Sequence, residues 1–402
     1  MSDIDTNALK AAAPIIPYIE THYKDKIIIE KRSKGTVFSR CLWHDENTPS
    51  LAFFHNGTYK CFGCGEHGDI ITLVQFMEHV SFEEACKIIG DNVGFEVILE
   101  PPNPVHENYK NQMDNHTRRY WYNLQNNPEA LSYIMNDRGI SSEMIDLYRL
   151  GFTDPEEYKY RNLGGISSRI VFPILEHKRR NPKCVGMAYR CLNNDKPKYT
   201  NDQNQDGREG QDKNLEGIFI KSNMLYGLHQ AYEGIVKFGY IIITEGYFDV
   251  ISLYQSGLTN TVCTMGTSLS ESQINTISKL TNNVLLMYDS DSAGISSMFK
   301  CMNNLFRENL HVAICVLDPG KDPADTCKAA KFDYFVVNSF ISQHTEQATE
   351  FIIDRCVKRY ENIAAKERRK ALNLLNPIMQ SIPDDIQKEA FKNRIFKRLD
   401  IN

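Results

Sequence analysis

Residues 240–254 read YIIITEGYFDVISLY, residues 282–294 NNVLLMYDSDSAG and residues 312–325 VAICVLDPGKDPAD. Each is a short apolar run, rich in β-branched residues, that ends in carboxylates. Ile241, Ile242 and Ile243 lead into Glu245; Val284 to Met287 lead into Asp289 and Asp291; Val312 to Leu317 lead into Asp318 and Asp322. Buried parallel strands read this way when their C-terminal tips carry chemistry. Between the runs, DVISLYQSG and SAGISSMFKCMNNLF have helical spacing, so a β-α-β-α-β unit is expected, with right-handed crossovers and a ligand site at the carboxyl ends of the strands.

Carboxylates gathered without matching Lys or Arg repel one another unless a divalent cation compensates them. Magnesium suits the set, because it takes oxygen ligands and binds one or two protein carboxylates together with substrate phosphates. A metal pair would clamp the attacking and leaving oxygens of a phosphoryl transfer. Acids after strands are also common as loop residues and helix caps. The order Glu-Gly, Asp-x-Asp-x-Ala-Gly, Asp-Pro-x-Asp, each after an apolar strand, favours the catalytic reading.

This stretch resembles a TOPRIM domain, the Mg-binding fold shared by bacterial primases, topoisomerases and some nucleases. The resemblance assigns Glu245 as the single glutamate, Asp289 and Asp291 as the Asp-x-Asp, and Asp322 as the first acid of the last motif. Many primases read Asp-Pro-Asp there; this chain reads Asp322-Pro323-Ala324-Asp325, which leaves open whether Asp325 reaches the metals. Asp249, one helical turn after Glu245, is expected to support the ligands from behind or to bind metal itself.

The length of 402 residues allows two to four domains. With 42% hydrophobic and 24% charged residues the composition is that of a soluble globular protein, and no apolar run is long enough to span a bilayer. The N-terminal MSDIDTN lacks a basic n-region, so no signal peptide is expected. Apart from one local cluster, the 11 cysteines are scattered singly at apolar positions such as Cys86, Cys263 and Cys315, which fits a reducing compartment without disulfides. The net charge of −5 argues against a basic nucleic-acid coat. From Arg169 to Lys221, however, 11 Lys/Arg face 7 Asp/Glu, so this segment is net basic within an acidic chain.

In CLWHDENTPSLAFFHNGTYKCFGCGEHG, residues 41–68, Cys41-x2-His44 and Cys61-x2-Cys64 place two ligand pairs on tight turns, separated by a strand, LAFFHNGTYKCF. That is the arithmetic of a closed, four-coordinate structural zinc site. Gly63 and Gly65 let the second turn bend; His67 is a rival ligand by spacing and His55 a weaker one. The segment resembles the zinc-binding domain at the head of bacterial DnaG-type primases and phage primase-helicases, and by that match the ligands are Cys41, His44, Cys61 and Cys64. Phe53, Phe54, Tyr59 and Phe62 either stack bases of a single-stranded template or form the core of a small domain.

PPNPVHENYKNQMDN, residues 101–115, shows no periodicity and reads as a linker that lets the zinc domain swing. Short helices follow to about Leu163, with an Arg-Gly-Ile and then a Leu-Gly-Phe pattern similar to the start of the primase catalytic core. SRIVFPILEH, CVGMAYRCL and KPKYTN read as strands of a small sheet. Arg169, Arg190, Lys198 and Lys221 together form a platform for template and nucleotide phosphates, which the primase-like RVMFPI and PKY motifs support. Residues 200–214 read as a polar insertion, and the chain beyond Cys327 as charged amphipathic helices.

The expected fold class is therefore α+β and multi-domain. It comprises a zinc ribbon at 1–100, a linker at 101–116, the N-terminal part of a mixed α/β catalytic core at 117–239, a TOPRIM unit at 240–330 and a helical subdomain at 331–402. The resemblance implies a DNA-dependent RNA primase of the bacterial or phage-infected cytoplasm, using one structural Zn²⁺ and two or more catalytic Mg²⁺ or Mn²⁺ ions. Its expected partners are single-stranded DNA, ribonucleoside triphosphates and a replicative helicase supplied in trans, with no membrane. Glu245 either ligates a metal or takes the proton of the attacking hydroxyl. A cellular primase would continue into a helicase-binding domain; no segment of that size and no P-loop is present here, so the chain is either naturally compact or truncated. The rival functions are a TOPRIM nuclease or topoisomerase, and a non-catalytic single-strand-binding adaptor.

Overall fold

The computed structural model describes residues 4–44, 46–78, 80, 82–97, 103–153, 169–177, 182–192, 197–202, 213–266, 269–290, 292–360, 375–376, 378–382 and 385–399. Asp291 and most of the polar insertion lie outside the described residues. The chain forms two compact units, residues 1–104 with 178–182, and residues 105–177 with 183–402.

In the first unit, strands β1 (Ile29–Ser33), β2 (Thr36–Ser39), β3 (Leu51–Phe53), β4 (Thr58–Cys61) and β5 (His67–Asp69) form an antiparallel sheet in chain order. The stretch LAFFHNGTYKCF, expected as one strand, is a hairpin. Asn56-Gly57 supplies the turn, with Gly57 at φ +86°, a conformation a side chain would oppose. Alternation assigns the faces. Val37, Leu51, Phe53 and Tyr59 point into a core closed by helices α1 (Thr6–Ala12), α2 (Ile15–His22), α3 (Ile70–Glu78) and α4 (Phe82–Val93). The register Lys31↔Phe38↔Ala52↔Lys60↔His67 runs across the opposite face.

The second unit opens with α5 (Pro104–Gln125), which corrects the linker reading of 101–116. Pro104 takes the first helical position, where its missing N–H costs nothing, and Met113, Thr117, Tyr120 and Leu124 recur every three or four residues on the buried face. Short helices α6 (Pro128–Ser132) and α7 (Ser142–Leu147) follow. Strands β6 (Gly151–Phe152), β7 (Arg169–Leu175), β8 (Cys184–Cys191) and β9 (Tyr199–Asn201) then form an antiparallel sheet in chain order.

Helix α8 (Leu228–Phe238) leads into β10 (Ile241–Thr244), α9 (Tyr247–Gln255), β11 (Thr261–Cys263), α10 (Glu271–Ser278), β12 (Asn283–Leu286), α11 (Ser292–Arg307) and β13 (His311–Cys315). After α12 (Pro323–Ala329) and α13 (Tyr334–His344), β14 (Thr345–Gln347) adds an antiparallel edge; α14 (Ala348–Tyr360) and α15 (Asp385–Leu399) follow. The strand order is β11-β10-β12-β13-β14, with β10 to β13 parallel. The sheet thus holds two strands the sequence did not announce, the three-residue β11 and β14. From β10 the chain steps outward to β11 and returns across β10 to β12, so the connections reverse between β10 and β12. In an open α/β sheet that reversal opens the ligand crevice at the strand C-termini.

Candidate functional site

The crevice lies where the acid-tipped runs end. Ile241, Ile242 and Ile243 are buried on both faces of the sheet, and the chain leaves it at Thr244 to present Glu245; Val284 to Tyr288 do the same for Asp289. One oxygen of each carboxylate, Glu245 Oε1 and Asp289 Oδ1, is shielded from solvent. Ser290 Oγ donates to Asp318 O at 2.7 Å and tethers the β12 tip to the loop after β13. That loop ends at Asp322, which caps α12 by accepting from Asp325 N at 2.6 Å, with Pro323 in the first turn. Asp325 itself is exposed.

Asp249, in the first turn of α9, is buried. It accepts from Gly246 N at 3.0 Å and from Ala324 N at 3.3 Å, so one carboxylate ties the β10 tip to the start of α12. Burial, then the fields of Asp322 and Asp289, push its carboxyl well above the ordinary carboxylate range against the pull of those two amides. The same two acids act on Lys198. Partial burial and the nearby Arg190 and Arg138 depress its ammonium, and Asp322 and Asp289 oppose them. Asp289, Asp322, Asp249 and Lys198 therefore share one electrostatic neighbourhood. Oxygen donors mutually repelling in a partly shielded crevice fit a hard divalent cation.

The other cations do not form an open platform. Arg169 is 2% exposed and donates to Pro197 O at 3.1 Å; Arg190 is 7% exposed and donates to the Tyr199 hydroxyl. The Arg190 guanidinium also lies 5.0 Å from the Tyr199 ring and 5.5 Å from Phe248. Lys221 is half-buried beside Cys263, where burial lowers its pKa. Arg138, which the sequence reading did not assign, joins the cluster. Its Nε donates to the Tyr133 hydroxyl at 2.9 Å and its guanidinium lies 5.0 Å from the Phe248 ring. Its signal was the Arg-Gly-Ile turn itself.

In the first unit Cys41, His44, Cys61 and Cys64 converge, with one ligand atom from each lying within 4.8 Å of the others. Among the described residues this is the only such group of three or more His, Cys, Asp or Glu. Cys41 and Cys64 Sγ are 3.7 Å apart, the edge of a tetrahedron whose metal–sulfur bonds are about 2.3 Å. His44 Nδ1 is 3.8 Å from Cys61 Sγ, while its Nε2 faces Glu46 Oε2 at 3.4 Å. Glu46 also accepts from Cys41 N and Ser50 N. This unanticipated carboxylate fixes the ring as outer partners of zinc-binding histidines do. His67 instead lies against Gly65 O at 3.2 Å, and His55 lies against Gly35; neither joins the quartet.

Gly63 is needed for space. A Cβ there would fall 2.6 Å from His44 Nε2 and 2.7 Å from Cε1. Gly63→Ala should therefore displace the ring and release zinc to a chromophoric chelator about tenfold faster, an effect of the size seen when a ligand's outer support is lost. Unchanged release would show that the turn absorbs the methyl.

Fold and sites together define the class: a zinc-ribbon unit and a unit built on a Toprim sheet. A CHC2 zinc-finger family model matches residues 3–103 and a Toprim-like model residues 242–327. The DNA primase of Helicobacter pylori strain 26695 is 30% identical over 387 residues, covering 89% of this chain and 66% of its own. The DNA primase of Borreliella burgdorferi is 27% identical, covering 98% and 78%, and that of Clostridium acetobutylicum 27% identical, covering 91% and 63%. The chain thus spans roughly two thirds of the length of these relatives. The solved zinc-binding and RNA polymerase domains of Aquifex aeolicus primase share the fold, with TM-score 0.59 and 24% identity over 99% of this chain and 97% of that one. The chain belongs to the DnaG-type primase family. Among the described residues no helix is long and apolar enough to cross a membrane.

Proposed function

We propose that this chain is a DNA-dependent RNA primase that joins ribonucleoside triphosphates on a single-stranded DNA template. The observation that carries the reading is that the fields of Asp289 and Asp322 meet on Asp249 and on Lys198, with Arg138 also acting on Lys198, at the strand ends where Glu245 follows β10. Glu245, Asp289 and Asp322, joined by Asp291, would hold Mg²⁺ or Mn²⁺. Such ions, when bound, lower the pKa of an attacking 3′-hydroxyl and neutralise triphosphate charge. Lys198 and Arg138 supply positive charge to the phosphates. Asp249, bonded to both Gly246 N and Ala324 N, fixes the spacing between Glu245 and Asp322. Arg169 and Arg190 contribute mainly by holding β7, β8 and β9 together.

The zinc unit contributes a template face. Phe53 and Tyr59 are core residues, whereas Phe62 is 65% exposed with Lys60 Nζ 6.0 Å from its ring centre. Lys31 lies 5.6 Å from the Phe38 ring on the same sheet face. Aromatic rings interleaved with lysines suit stacked bases and a phosphate backbone. A replicative helicase acting in trans completes the proposed partners.

The test is to incubate the chain with single-stranded DNA, Mn²⁺ or Mg²⁺ and labelled ribonucleotides. Short RNA dependent on template is the expected product. Nicked DNA would indicate a nuclease, and neither product a binding adaptor.

A further inference from the structure

Arg138 lies on a turn between the core residues Ile134 and Ile140, where Arg138 N donates to Tyr133 O and Ile140 N to Ile134 O. The turn is also held from the Toprim side. Gln255, the last residue of α9, donates from Nε2 to Gly139 O at 2.8 Å and accepts at Oε1 from Ser141 N at 2.7 Å. Lys328 Nζ donates to Asp137 O at 2.5 Å. The Phe332 ring lies where a Cβ on Gly139 would fall, 2.7 Å from Cε2. All three contacts grip the backbone on either side of Arg138, and none touches its side chain.

We propose that Gln255 is a positioning residue for the reaction, holding the turn that aims Arg138 at the nucleotide phosphates; the inference rests on the primase reading above. The carboxamide is the group suited to this, because a single planar side chain offers one donor and one acceptor and so satisfies a C=O and an N–H two residues apart. Helix α9 makes the contact consequential. It starts beside Glu245, its Phe248 ring supports the Arg138 guanidinium at 5.0 Å, and its last residue holds the backbone of Gly139 and Ser141 just after Arg138. Acid and cation are thereby referred to one rigid nine-residue rod. Because the guanidinium also bonds Tyr133, loosening the turn shifts it without freeing it, and misplacement on the order of 1 Å is enough to cost rate or affinity.

The experiment is a double-mutant cycle on the full, zinc-loaded chain between Gln255→Leu and Arg138→Ala. It is read by the Kd for GTP in Mn²⁺ and by the KM and kcat of dinucleotide synthesis. Gln255→Leu leaves an apolar side chain one bond shorter and removes both hydrogen bonds. It should weaken GTP binding and raise KM by about tenfold, with kcat changed less, an effect on the scale of a misplaced binding group. With Arg138 already replaced, the same substitution should do nothing further. Gln255→Glu keeps the acceptor for Ser141 N, loses the donor for Gly139 O and should fall between; it replaces the leucine variant if that does not fold. Equal losses with and without Arg138 would mean that Gln255 only stabilises the fold, and no loss would remove it from the site. If the unaltered chain binds GTP but makes no RNA, the polymerase reading falls while the cycle in Kd still judges Gln255. If it binds no GTP, both fall.

Discussion

Asp289→Ala yields a folded, zinc-loaded protein that makes at least about a thousandfold less dinucleotide, the scale on which preorganised charge at a reacting centre acts. The side chain stands at the tip of β12, beyond the last core residue Tyr288, so its loss opens no cavity. It also removes one member of a set of like charges whose field contributes to pushing the Asp249 carboxyl upward. The melting temperature should therefore hold or rise slightly while activity collapses, the opposite pairing from that of a core substitution. Calorimetry supplies a readout besides activity. Mn²⁺ uptake by the second unit should weaken, zinc content should stay at its wild-type value, and the Asp249 carboxyl should ease downward while burial and Asp322 still hold it raised. Retained synthesis would remove Asp289 from the mechanism.

That the site can be argued from so few residues reflects how buried parallel strands are written. With both faces covered, Ile241–Ile243 and Val284–Met287 have to be apolar without interruption, so the residue where each run stops marks the crevice. Strand β11 has only Thr261, Val262 and Cys263 in which to show a pattern, too few to separate from the loop around it. Helix α5 was hidden for another reason. Its buried residues are Met113, Thr117, Tyr120 and Leu124, so a boundary drawn at 116 cut the period in half.

The arginines illustrate what sequence spacing leaves out. Whether a basic residue on a strand faces solvent depends on acceptors brought from elsewhere, and for Arg190 these are Tyr133, Tyr199 and Phe248, contributed by three separate segments. The ligand quartet was legible because its spacing is local, whereas Glu46 could be recognised only once His44 Nε2 was seen to face it. In the last acidic motif, Ala324 places Asp325 in the first turn of α12 while Asp322 takes the cap. The pull between capping and ligation could not be decided from Asp-Pro-Ala-Asp alone.

Cys61→Ala is expected to empty the zinc site and abolish template binding while the second unit melts as before. Cys61 ends β4 and is buried, with its sulfur facing Gly63 N at 3.3 Å, Cys64 N at 3.4 Å and Ser50 Oγ at 3.1 Å. Burial works against the thiolate, but the Ser50 hydroxyl and the two amides outweigh it and bring the thiol down to about 7, so the ligand form is available at neutral pH. Removing the sulfur deletes one of four ligands and strands those donors. Structural zinc supplies on the order of 10–16 kcal/mol to small domains, most of which becomes folding energy. This unit also has an apolar core around Leu51, Phe53 and Leu73, so its helices should persist while the turns bearing Cys41 and Cys64 open. Trp43 reports that opening, since it lies between Cys41 and His44 and stacks on Tyr59 at 5.2 Å. With Trp121 replaced by Phe to silence the other indole, Trp43 emission should shift to the red in Cys61→Ala, and a chelator should reproduce the shift in the parent. A Cys61→Ala protein that keeps its zinc and its Trp43 spectrum would mean that another residue closes the site.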